Sequence, residues 1–447
     1  MRTEHYKTIA DELAAAIRSG DLPAGTRLPT HRELARDRGV AVATISRVYA
    51  QLTAAGLVSG EIGRGTFVRD QSGYSGLEPR RLPVRERIAD LSFNQPLAPG
   101  QGEALRRALR ELANEGDLEA LLAQHPPGGR ERDRAAVATY LLERGLDVPP
   151  RNVLLTTGAQ QAIDVAVSAL LKPGAVVAVD AVTYPGMKLV ASARHIELAA
   201  VRCDAGGTDI DELEALCARR TVSAVYLMPT VHNPLGFVLD TEQRERIAAL
   251  ARRHDLAIIE DATYAFLESA APPPIQTLAP ERTVYLGSMS KNLATGLRFG
   301  YLVAPDQLLG AATRALRTST WGTPSLITAL VTRWLRDGTV EKLEAERRAD
   351  AERRQATARE TFAGLDYVAH PAGYSGWLPL PEQTRADQVA ARLAEQGILV
   401  SAAEAFAVPP FAPNALRLAL GSVELDRLAT VLRSVADLVR SMEPVPV

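Results

Sequence analysis

The sequence predicts two folded units in one chain: a small helical unit that ends in a β-hairpin, and a larger α/β body built on a mostly parallel sheet. Within residues 1 to 70, apolar side chains recur at helical spacing, and a hairpin with a Gly-Arg-Gly tip follows them. From residue 91 onward, short β-branched runs alternate with helical stretches, which is typical of a parallel sheet covered by helices on both faces. The 447 residues are enough for two or three domains.

Composition is that of a soluble globular protein, with 46% hydrophobic and 23% charged residues. The amino terminus is polar and no uninterrupted run of about 18 apolar residues occurs, so we expect a cytoplasmic protein without a membrane partner. Cys203 and Cys217 have neither metal nor disulfide spacing, which predicts a reducing compartment and no metal site. Residues 1 to 90 carry 14 Lys and Arg against 11 Asp and Glu, an excess too small to establish a nucleic-acid partner.

The first unit begins with three predicted helices. Ile9, Leu13 and Ile17 lie four residues apart and predict an amphipathic helix that Gly20 ends. A second helix starts at a capping box formed by residues 30–33 and ends near residue 39. A third runs from about residue 43 to residue 55. Two helices joined by a tight turn that contains glycine are typical of a helix-turn-helix.

The polar groups of this unit lie on the third helix and on the hairpin. Thr44, Arg47 and Gln51 share the outer side of the third helix, opposite its apolar side. Residues 61–68 predict a hairpin whose tip, residues 63–65, would bring Arg64 close to phosphates or into a minor groove. The alternative is a small helical bundle whose charges are merely solvated.

Residues 71 to 90 predict a linker, because they contain several Pro, Gly, Ser and charged residues and show neither the periodicity of a helix nor that of a strand. The body then spans residues 91 to 447. Its predicted strands are residues 152–155, 175–179, 224–228, 256–259, 283–286 and 301–303. In open α/β sheets, ligands bind beyond the carboxyl ends of the strands, so the residues that follow these runs are the candidates for a site.

Lys291 follows the fifth strand in a Ser-x-Ser-Lys pattern with Ser288 and Ser290. A lysine there can serve as a Schiff-base anchor, and hydroxyl groups beside it suit a phosphate close to the amine. Arg298, seven residues on, can bind the same phosphate and lower the pKa of the lysine, which favours the nucleophilic amine. Taken alone, the pattern also fits a solvated surface lysine.

The other strand ends carry complementary groups. Gly158, Ala159 and Gln160 open a helix whose amides favour a phosphate, although an ordinary strand-to-helix turn has the same pattern. The ring of Tyr184 could lie flat on a heteroaromatic cofactor or simply belong to the core. Asn233 can offer its amide to a phenolic oxygen, although an Asn-Pro pair standing alone is just a turn.

A carboxylate ends the fourth strand. Asp261, at the end of a buried strand, needs a partner, and a pyridinium nitrogen would be one, because the ion pair keeps the ring protonated as an electron sink. Tyr264, three residues on, could share the phenolic oxygen with Asn233. Together with Lys291, these groups predict a site for pyridoxal phosphate.

Three segments of the first unit resemble the signature segments of GntR-type winged-helix DNA-binding domains: residues 28–35 (Leu-Pro-Thr-His-Arg-Glu-Leu-Ala), 44–49 (Thr-Ile-Ser-Arg-Val-Tyr) and 63–68 (Gly-Arg-Gly-Thr-Phe-Val). One departure is the pair at 41 and 42, Ala-Val, where that family often has Ser-Arg. The resemblance implies that Arg32 and Thr44 meet double-stranded DNA in the major groove, that Arg47 holds phosphate or a base edge, and that Arg64 acts from the wing.

Residues 91 to 440 resemble the fold type I pyridoxal-phosphate enzymes, the aminotransferase superfamily, through the order of the motifs given above. The resemblance implies pyridoxal 5′-phosphate as cofactor, a small C-terminal α+β subdomain at roughly residues 340 to 447, and a substrate or effector carboxylate clamped by Arg417. A second departure is Gln124, which stands where that family usually has a tyrosine that reaches the partner subunit's phosphate.

Both units together resemble the MocR subfamily of GntR regulators over nearly the whole chain. That resemblance implies a head-to-tail homodimer whose DNA binding at an operator responds to an amine or amino-acid effector, or to the cofactor itself. Lys291 would hold the cofactor, and an incoming amine would displace the lysine without onward transamination. Two alternatives stay open: an active aminotransferase that carries a DNA-binding domain, and a DNA-binding protein whose body serves only for dimerisation.

Overall fold

The computed structural model describes residues 4–19, 21–23, 25–54, 57–61, 65–68, 89–96, 100–115, 117–381, 384–409 and 413–442. The amino-terminal unit has the predicted three helices and hairpin. They are α1 (Glu4–Ser19), α2 (His31–Asp37), α3 (Val42–Ala54), β1 (Val58–Glu61) and β2 (Gly65–Val68), and the two strands pair antiparallel. Residues 63 and 64 of the predicted hairpin tip, which include Arg64, and residues 71–88 of the predicted linker lie outside the described ranges.

One apolar core holds the three helices of this unit together. Ile9 and Ile17 of α1 are buried with Ile45, Val48 and Leu52 of α3. At the start of α2 the predicted capping box is present, with the Thr30 hydroxyl accepting from the amide of residue 33 at 3.3 Å and the glutamate there accepting from the Thr30 amide at 2.8 Å. The turn between α2 and α3 contains a glycine at φ +64°, a backbone conformation that favours glycine.

The remaining strands, in chain order, are β3 (Ala89–Asp90), β4 (Val153–Thr156), β5 (Val176–Asp180), β6 (Glu197–Val201), β7 (Cys203–Asp204), β8 (Gly207–Thr208), β9 (Ala224–Leu227), β10 (Ala257–Asp261), β11 (Thr283–Ser288), β12 (Gly300–Val303), β13 (Ser375–Pro379), β14 (Ile398–Leu399), β15 (Ser401–Ala402) and β16 (Ala415–Ala419).

The remaining α-helices are α4 (Gln101–Glu115), α5 (Leu118–Leu122), α6 (Glu131–Leu142), α7 (Ala159–Leu170), α8 (Pro185–Ala193), α9 (Ile210–Arg219), α10 (Thr241–Arg253), α11 (Ile275–Leu278), α12 (Asp306–Ser319), α13 (Ser325–Arg336), α14 (Thr339–Thr361), α15 (Ala386–Glu395) and α16 (Leu425–Arg440).

Seven strands form the central sheet of the body, in the order β4-β12-β11-β10-β9-β5-β6. β12 is antiparallel to both neighbours, and the other pairs are parallel, so the predicted mostly parallel sheet is confirmed. β4, β5, β9, β10 and β11 therefore run in the same direction and end at one edge of the sheet. The six predicted strands are present, whereas β6 was not predicted, because it opens on an exposed glutamate and is only partly buried.

Helices cover both faces of this sheet, as expected. Ile163 of α7, Met187 of α8 and Leu316 of α12 are buried against one face. Leu213 of α9 and Ile247 of α10 are buried against the other. Burial on both faces explains why the strands are nearly continuous apolar runs.

The carboxyl-terminal part of the body forms a smaller α+β layer. Its antiparallel sheet has the order β13-β16-β15, and α14, α15 and α16 share a second core with it. β3, formed by the last two residues of the predicted linker, pairs in parallel with β14. That end of the linker is therefore held on the small subdomain. None of the helices in the described ranges is both long and apolar enough to cross a membrane.

Candidate functional site

A cavity of about 370 Å³ lies where the loops after β4, β5, β9, β10 and β11 converge. Eleven of the residues predicted from the strand ends and from β16 line it: Ala159, Gln160, Tyr184, Asn233, Asp261, Tyr264, Ser288, Ser290, Lys291, Arg298 and Arg417. Gly158 adjoins it, because a Cβ atom built there would lie 3.0 Å from Nη2 of Arg298. A wider groove of about 750 Å³ beside β7 and β8 contains none of the predicted residues.

Lys291 is half-buried in the loop after β11, with its amine directed at the loop that follows β3. Nζ donates a hydrogen bond to the carbonyl of Asn94 at 2.5 Å and lies 4.6 Å from the centre of the Phe93 ring. Desolvation, with the charges of Arg417 and then Arg298, lowers the pKa of Lys291 to about 7. A large fraction of this amine is therefore unprotonated at neutral pH, as a nucleophilic lysine requires.

Asp261 ends β10 and is 1% exposed. Its Oδ2 accepts a hydrogen bond from the hydroxyl of Tyr226 at 2.8 Å, and its Oδ1 accepts from the amide of Thr263 at 2.9 Å. Burial raises the pKa of Asp261, and these two donors oppose the rise. A cation at the open side of the carboxylate would stabilise its charged form further.

The loop after β4 and the loop after β11 form a cradle for an anion. Gly158 has φ +94° and precedes the first turn of α7, whose free amides face outward along the helix axis. Arg298, in the left-handed conformation at φ +50°, brings its guanidinium against that glycine. Ser290 Oγ is buried and has no hydrogen-bond partner among the described residues. A phosphate group would supply the missing acceptor.

Three further predicted residues surround the middle of the cavity. The ring of Tyr184 lies against the backbone of Gly186, where a Cβ atom would clash with the ring. Burial raises the pKa of Tyr264, and Arg417 and the side chain of Asn94 oppose the rise. Asn233 is joined to Pro234 by a cis peptide bond, and its Oδ1 is buried without a partner in the described part of the chain. Its amide therefore has unused hydrogen-bonding capacity beside the cavity.

Arg417 lies at the centre of β16, opposite Trp377 of β13 and Ser401 of β15. Only 3% of its surface is exposed, and its guanidinium lies 4.9 Å from the centre of the Phe406 ring. Desolvation lowers the pKa of Arg417 to about 10, although Tyr264, Asp90 and Tyr184 oppose the change. It remains cationic at neutral pH in a water-poor setting, where attraction to a carboxylate is strong.

Sequence reasoning missed six residues that line the same cavity: Phe93, Asn94, Leu189, Met228, Thr263 and Thr295. Asn94 is the most connected of them, since its side chain also donates to Ser375 Oγ at 2.9 Å and accepts from the amide of Gly421 at 3.3 Å. Tyr226 was missed because, within an apolar strand, it looks like a core residue. Neither periodicity nor motif spacing could have placed residues 93 and 94 beside Lys291.

The predicted DNA-binding residues lie on α2 and α3. Arg32 and Arg47 are exposed and Thr44 is half-buried. The guanidinium of Arg47 lies 4.5 Å from the centre of the Tyr6 ring on α1. All three therefore have side-chain surface available on the helix-turn-helix, whereas Arg64 falls outside the described residues.

These features fit pyridoxal phosphate, the cofactor that the sequence resemblance implies. The cradle at Gly158 and Arg298 suits the phosphate, and the buried carboxylate of Asp261 suits a protonated ring nitrogen. The Oδ1 of Asn233, which has no partner among the described residues, could accept a hydrogen bond from a phenolic hydroxyl, and the Lys291 amine suits the aldehyde. In the described part of the chain, no group of three or more His, Cys, Asp and Glu residues is placed to hold a metal ion.

Comparisons with known proteins agree with both units. Residues 86–435 match the family model for aminotransferase class I and II, and residues 5–68 match the model for bacterial regulatory proteins of the gntR family. The chain is 29% identical to the Uncharacterized HTH-type transcriptional regulator YdeF of Bacillus subtilis (strain 168), covering 97% of this chain and 94% of that protein. It is 30% identical to the HTH-type transcriptional regulator TauR of Rhodobacter capsulatus, covering 88% and 87%.

A solved structure extends the comparison to the body. LysN, the α-aminoadipate aminotransferase of Thermus thermophilus, complexed with N-(5′-phosphopyridoxyl)-L-leucine, superposes with a TM-score of 0.73. It is 28% identical in sequence, and the match covers 81% of this chain and 95% of that one.

Proposed function

The chain belongs to the aminotransferase class I and II family and carries a GntR-type unit at its amino end, and from that premise we propose that it is a transcriptional regulator of the MocR type. The amino-terminal unit, residues 1 to 70, binds double-stranded operator DNA, and the body, residues 91 to 447, binds the cofactor and senses a small amine or amino acid. A cytoplasmic location follows from the proposed DNA partner. The observation that carries the proposal is a cavity lined by eleven predicted site residues in one chain with a helix-turn-helix.

Pyridoxal 5′-phosphate is the cofactor of this family, and when bound it supplies an aldehyde that condenses reversibly with amines and a ring that withdraws electrons. Arg298 and the amides at the start of α7 would hold the phosphate. Asp261 would hold the ring nitrogen, with Tyr226 and the amide of Thr263 fixing the carboxylate.

Lys291 has two roles in this proposal. With a pKa near 7 it would supply a free amine for the cofactor aldehyde, and if an effector amine took its place, Nζ could hold a proton. The carbonyl of Asn94 lies within hydrogen-bond distance of Nζ and orients it. The next residue, Asn292, is held in turn by a 2.7 Å hydrogen bond from its amide to the buried carboxylate of Glu344 on α14. One hydrogen bond therefore holds the lysine amine, and another holds the side chain of the residue that follows it.

Arg417 is the proposed binding group for an effector carboxylate. Its guanidinium faces the cavity from the small subdomain, while Lys291 faces it from the large sheet. An amino acid could therefore bridge the two layers, with its amine toward Lys291 and its carboxylate toward Arg417. An amine without a carboxylate would contact only the Lys291 side and bind less tightly.

A series of contacts connects the strand that carries Arg417 to the DNA-binding unit. Asn414, just before β16, accepts a hydrogen bond from the amide of Ala386 at 3.1 Å and donates to the carbonyl of Thr384 at 2.6 Å. These bonds fix the start of α15, where the side chain of Arg385 lies over Phe67 of β2. An effector that shifts β16 when it binds Arg417 would alter this contact. The effector can change DNA binding only if its affinity differs between the two arrangements of the protein.

We also propose a homodimer, arranged head to tail. Six of the large apolar side chains that are exposed in the described residues lie on or beside α13 and the three helices that it contacts, α4, α5 and α6: Leu109, Leu118, Leu122, Leu142, Trp321 and Leu326. Leu122 is the most exposed of them, at 89%. Exposed apolar side chains on neighbouring helices are typical of an interface, and a second copy would let each dimer bind two half-sites.

The alternative function is an active aminotransferase that carries a DNA-binding domain. The resemblance in sequence and fold to LysN and the predicted cofactor-site residues that line the cavity favour it. It predicts steady formation of a keto acid from an amino acid, whereas the regulator predicts amino-acid binding without sustained product.

One experiment separates these functions. DNA selected by the full-length protein from a random double-stranded library is titrated in the absence of cofactor, with pyridoxal phosphate, and with the cofactor plus each of the common amino acids. A regulator changes its affinity for that DNA when cofactor or one amino acid is added. DNA affinity that ignores every addition would contradict the proposal, and keto acid production in the same samples would favour the alternative.

A further inference from the structure

Val42, the first residue of α3, is an apolar side chain left in solvent at the leading end of the second helix of the helix-turn-helix. It is 45% exposed, whereas Ile45, Val48 and Leu52 on the same helix are buried in the core of the unit. Val42 is therefore not part of the core that holds α3 in place, and that core is complete without it.

Neither chain neighbour of Val42 has a side chain that can form a hydrogen bond. Residues 40 to 43 are Val-Ala-Val-Ala, and both alanines are exposed. The first turn of α3 carries no acidic residue, so phosphates would not be repelled there. The leading end of this helix therefore offers an apolar surface together with the amides of a helix start.

The position of Val42 is well fixed. The hydroxyl of Ser46 donates to the carbonyl of Val42 at 3.2 Å and lies 3.2 Å from Nδ1 of His31 at the start of α2. The hydroxyl of Tyr49 donates to the carbonyl of Pro29 at 2.5 Å. The start of α3 is thus tied to the start of α2, and little conformational entropy would be lost on binding.

In a helix-turn-helix, the amino-terminal residues of the second helix contact base edges in the major groove. The apolar group that the major groove presents is the 5-methyl group of thymine, and an apolar side chain contacts it without leaving a polar base atom unpaired. We propose that Val42 contacts a thymine methyl in each half-site and is a specificity-determining residue of this protein. The inference rests on the proposed DNA-binding function and adds the chemistry of one base position.

The test removes the methyl group alone. With DNA selected by the full-length protein, each thymine is replaced in turn by deoxyuridine, and affinity is measured for the wild type, for Val42→Ala, and for Val40→Ala as a neighbouring apolar control. We expect one deoxyuridine in each half-site to weaken wild-type binding about fourfold, the effect of one buried methyl group. At that position, deoxyuridine should weaken DNA binding by Val42→Ala little or not at all. It should still weaken binding by Val40→Ala about fourfold, as in the wild type.

The outcomes are distinguishable. Sequence-selective binding in which no single deoxyuridine matters, or in which Val42→Ala and wild type respond alike at every thymine, overturns the role of Val42 and leaves the DNA-binding function standing. A Val42→Ala variant that changes only the oligomeric state overturns it as well. A protein that selects no sequence at all overturns the proposed function itself, and this inference with it.

Discussion

The guanidinium of Arg385 lies over the ring of Phe67, with 3.6 Å between the guanidinium carbon and the ring centre. Phe67 belongs to β2 of the DNA-binding unit, and Arg385 immediately precedes α15 of the small subdomain. Asp387 holds the guanidinium flat by accepting from Nε at 2.9 Å and from Nη2 at 2.8 Å. This stack is a direct contact between the unit proposed to bind DNA and the layer that carries Arg417.

Replacing Arg385 should remove the effect of the effector on DNA binding and leave the binding of cofactor and of DNA intact. In Arg385→Ala we expect the effector-dependent change in DNA affinity to fall from at least about fivefold to less than about twofold, because the stack that transmits the change is gone. Cofactor affinity and DNA affinity without effector should each stay within about twofold of the wild type. Fluorescence anisotropy with labelled DNA measures all three quantities.

Arg385→Lys is the matched control, because it keeps the charge and loses the planar stack and the paired hydrogen bonds to Asp387. An effector response that survives unchanged in Arg385→Ala would remove this contact from the route of coupling.

The hydrogen bond from Tyr226 to Asp261 should contribute to cofactor affinity. Tyr226→Phe removes one of two donors to the buried carboxylate, so the pKa of Asp261 should rise further and its hold on a cationic ring nitrogen should weaken. We expect pyridoxal phosphate to bind about tenfold more weakly, the effect of one charged hydrogen bond of roughly 1.5 kcal/mol. Equilibrium dialysis of the apoprotein with the cofactor checks this.

Tyr285→Phe provides the control, because Tyr285 is also buried in the central sheet, on β11, but does not line the cavity. Equal effects of the two substitutions would indicate that Tyr226 acts through the packing of the sheet alone.

The reactivity of Lys291 should depend on pH with a midpoint near 7. Burial, Arg417 and Arg298 lower its pKa from the usual 10.5 to about 7. Labelling of the apoprotein with an amine-specific reagent should therefore increase through neutral pH at this residue. In Arg417→Met the midpoint should move upward, since a neighbouring cation is lost. A midpoint near 10.5 in the wild type would contradict the proposed environment of the amine.

The same shift predicts how stability depends on pH. Between about pH 7 and 10.5 the unfolded chain holds the Lys291 proton and the folded apoprotein does not, so the free energy of unfolding rises with pH across that window. Below pH 7 the folded state carries the buried charge at full cost. Lys291→Met removes this slope, and it should stabilise the apoprotein more at pH 6 than at pH 10. Urea denaturation at both values measures the difference.

The exposed leucines should be required for the dimer. Leu122→Asp places a charge at the most exposed apolar position of the described residues, and we expect it to shift the protein from dimer to monomer at micromolar concentration. Leu122→Met keeps the apolar contact and should remain dimeric. Sedimentation velocity reports both. A wild type that sediments as a monomer would contradict the proposed dimer directly.

Much of the fold and the site follows from local sequence patterns. Strand ends, the Thr30 capping box and the order of polar groups after the strands are local features, and the sheet then brings them to one edge. The direction of β12 is not local, because an apolar run has the same pattern whether it runs parallel or antiparallel to its neighbour. β6 was missed for a similar reason, since its partial burial at the edge of the sheet weakens the apolar pattern.

The contacts that sequence could not provide are long-range ones between unrelated segments. Asn94 and Lys291 are separated by 197 residues and joined by one hydrogen bond to a backbone carbonyl. Because every residue type has a backbone carbonyl, the sequence at position 94 does not indicate this contact. Arg385 and Phe67 form a contact between two units whose relative placement no periodicity encodes. Residues of these kinds are identified only when the tertiary structure is known.

The most direct test of the account is to locate the covalent bond to the cofactor. The chain has five lysines, at positions 7, 172, 188, 291 and 342, so borohydride reduction of the full-length protein with pyridoxal phosphate, followed by peptide mass spectrometry, identifies the modified lysine without ambiguity. We predict one cofactor per chain, reduced onto Lys291, and no stoichiometric adduct in Lys291→Ala. An adduct confined to other lysines, or none with excess cofactor, would contradict the account.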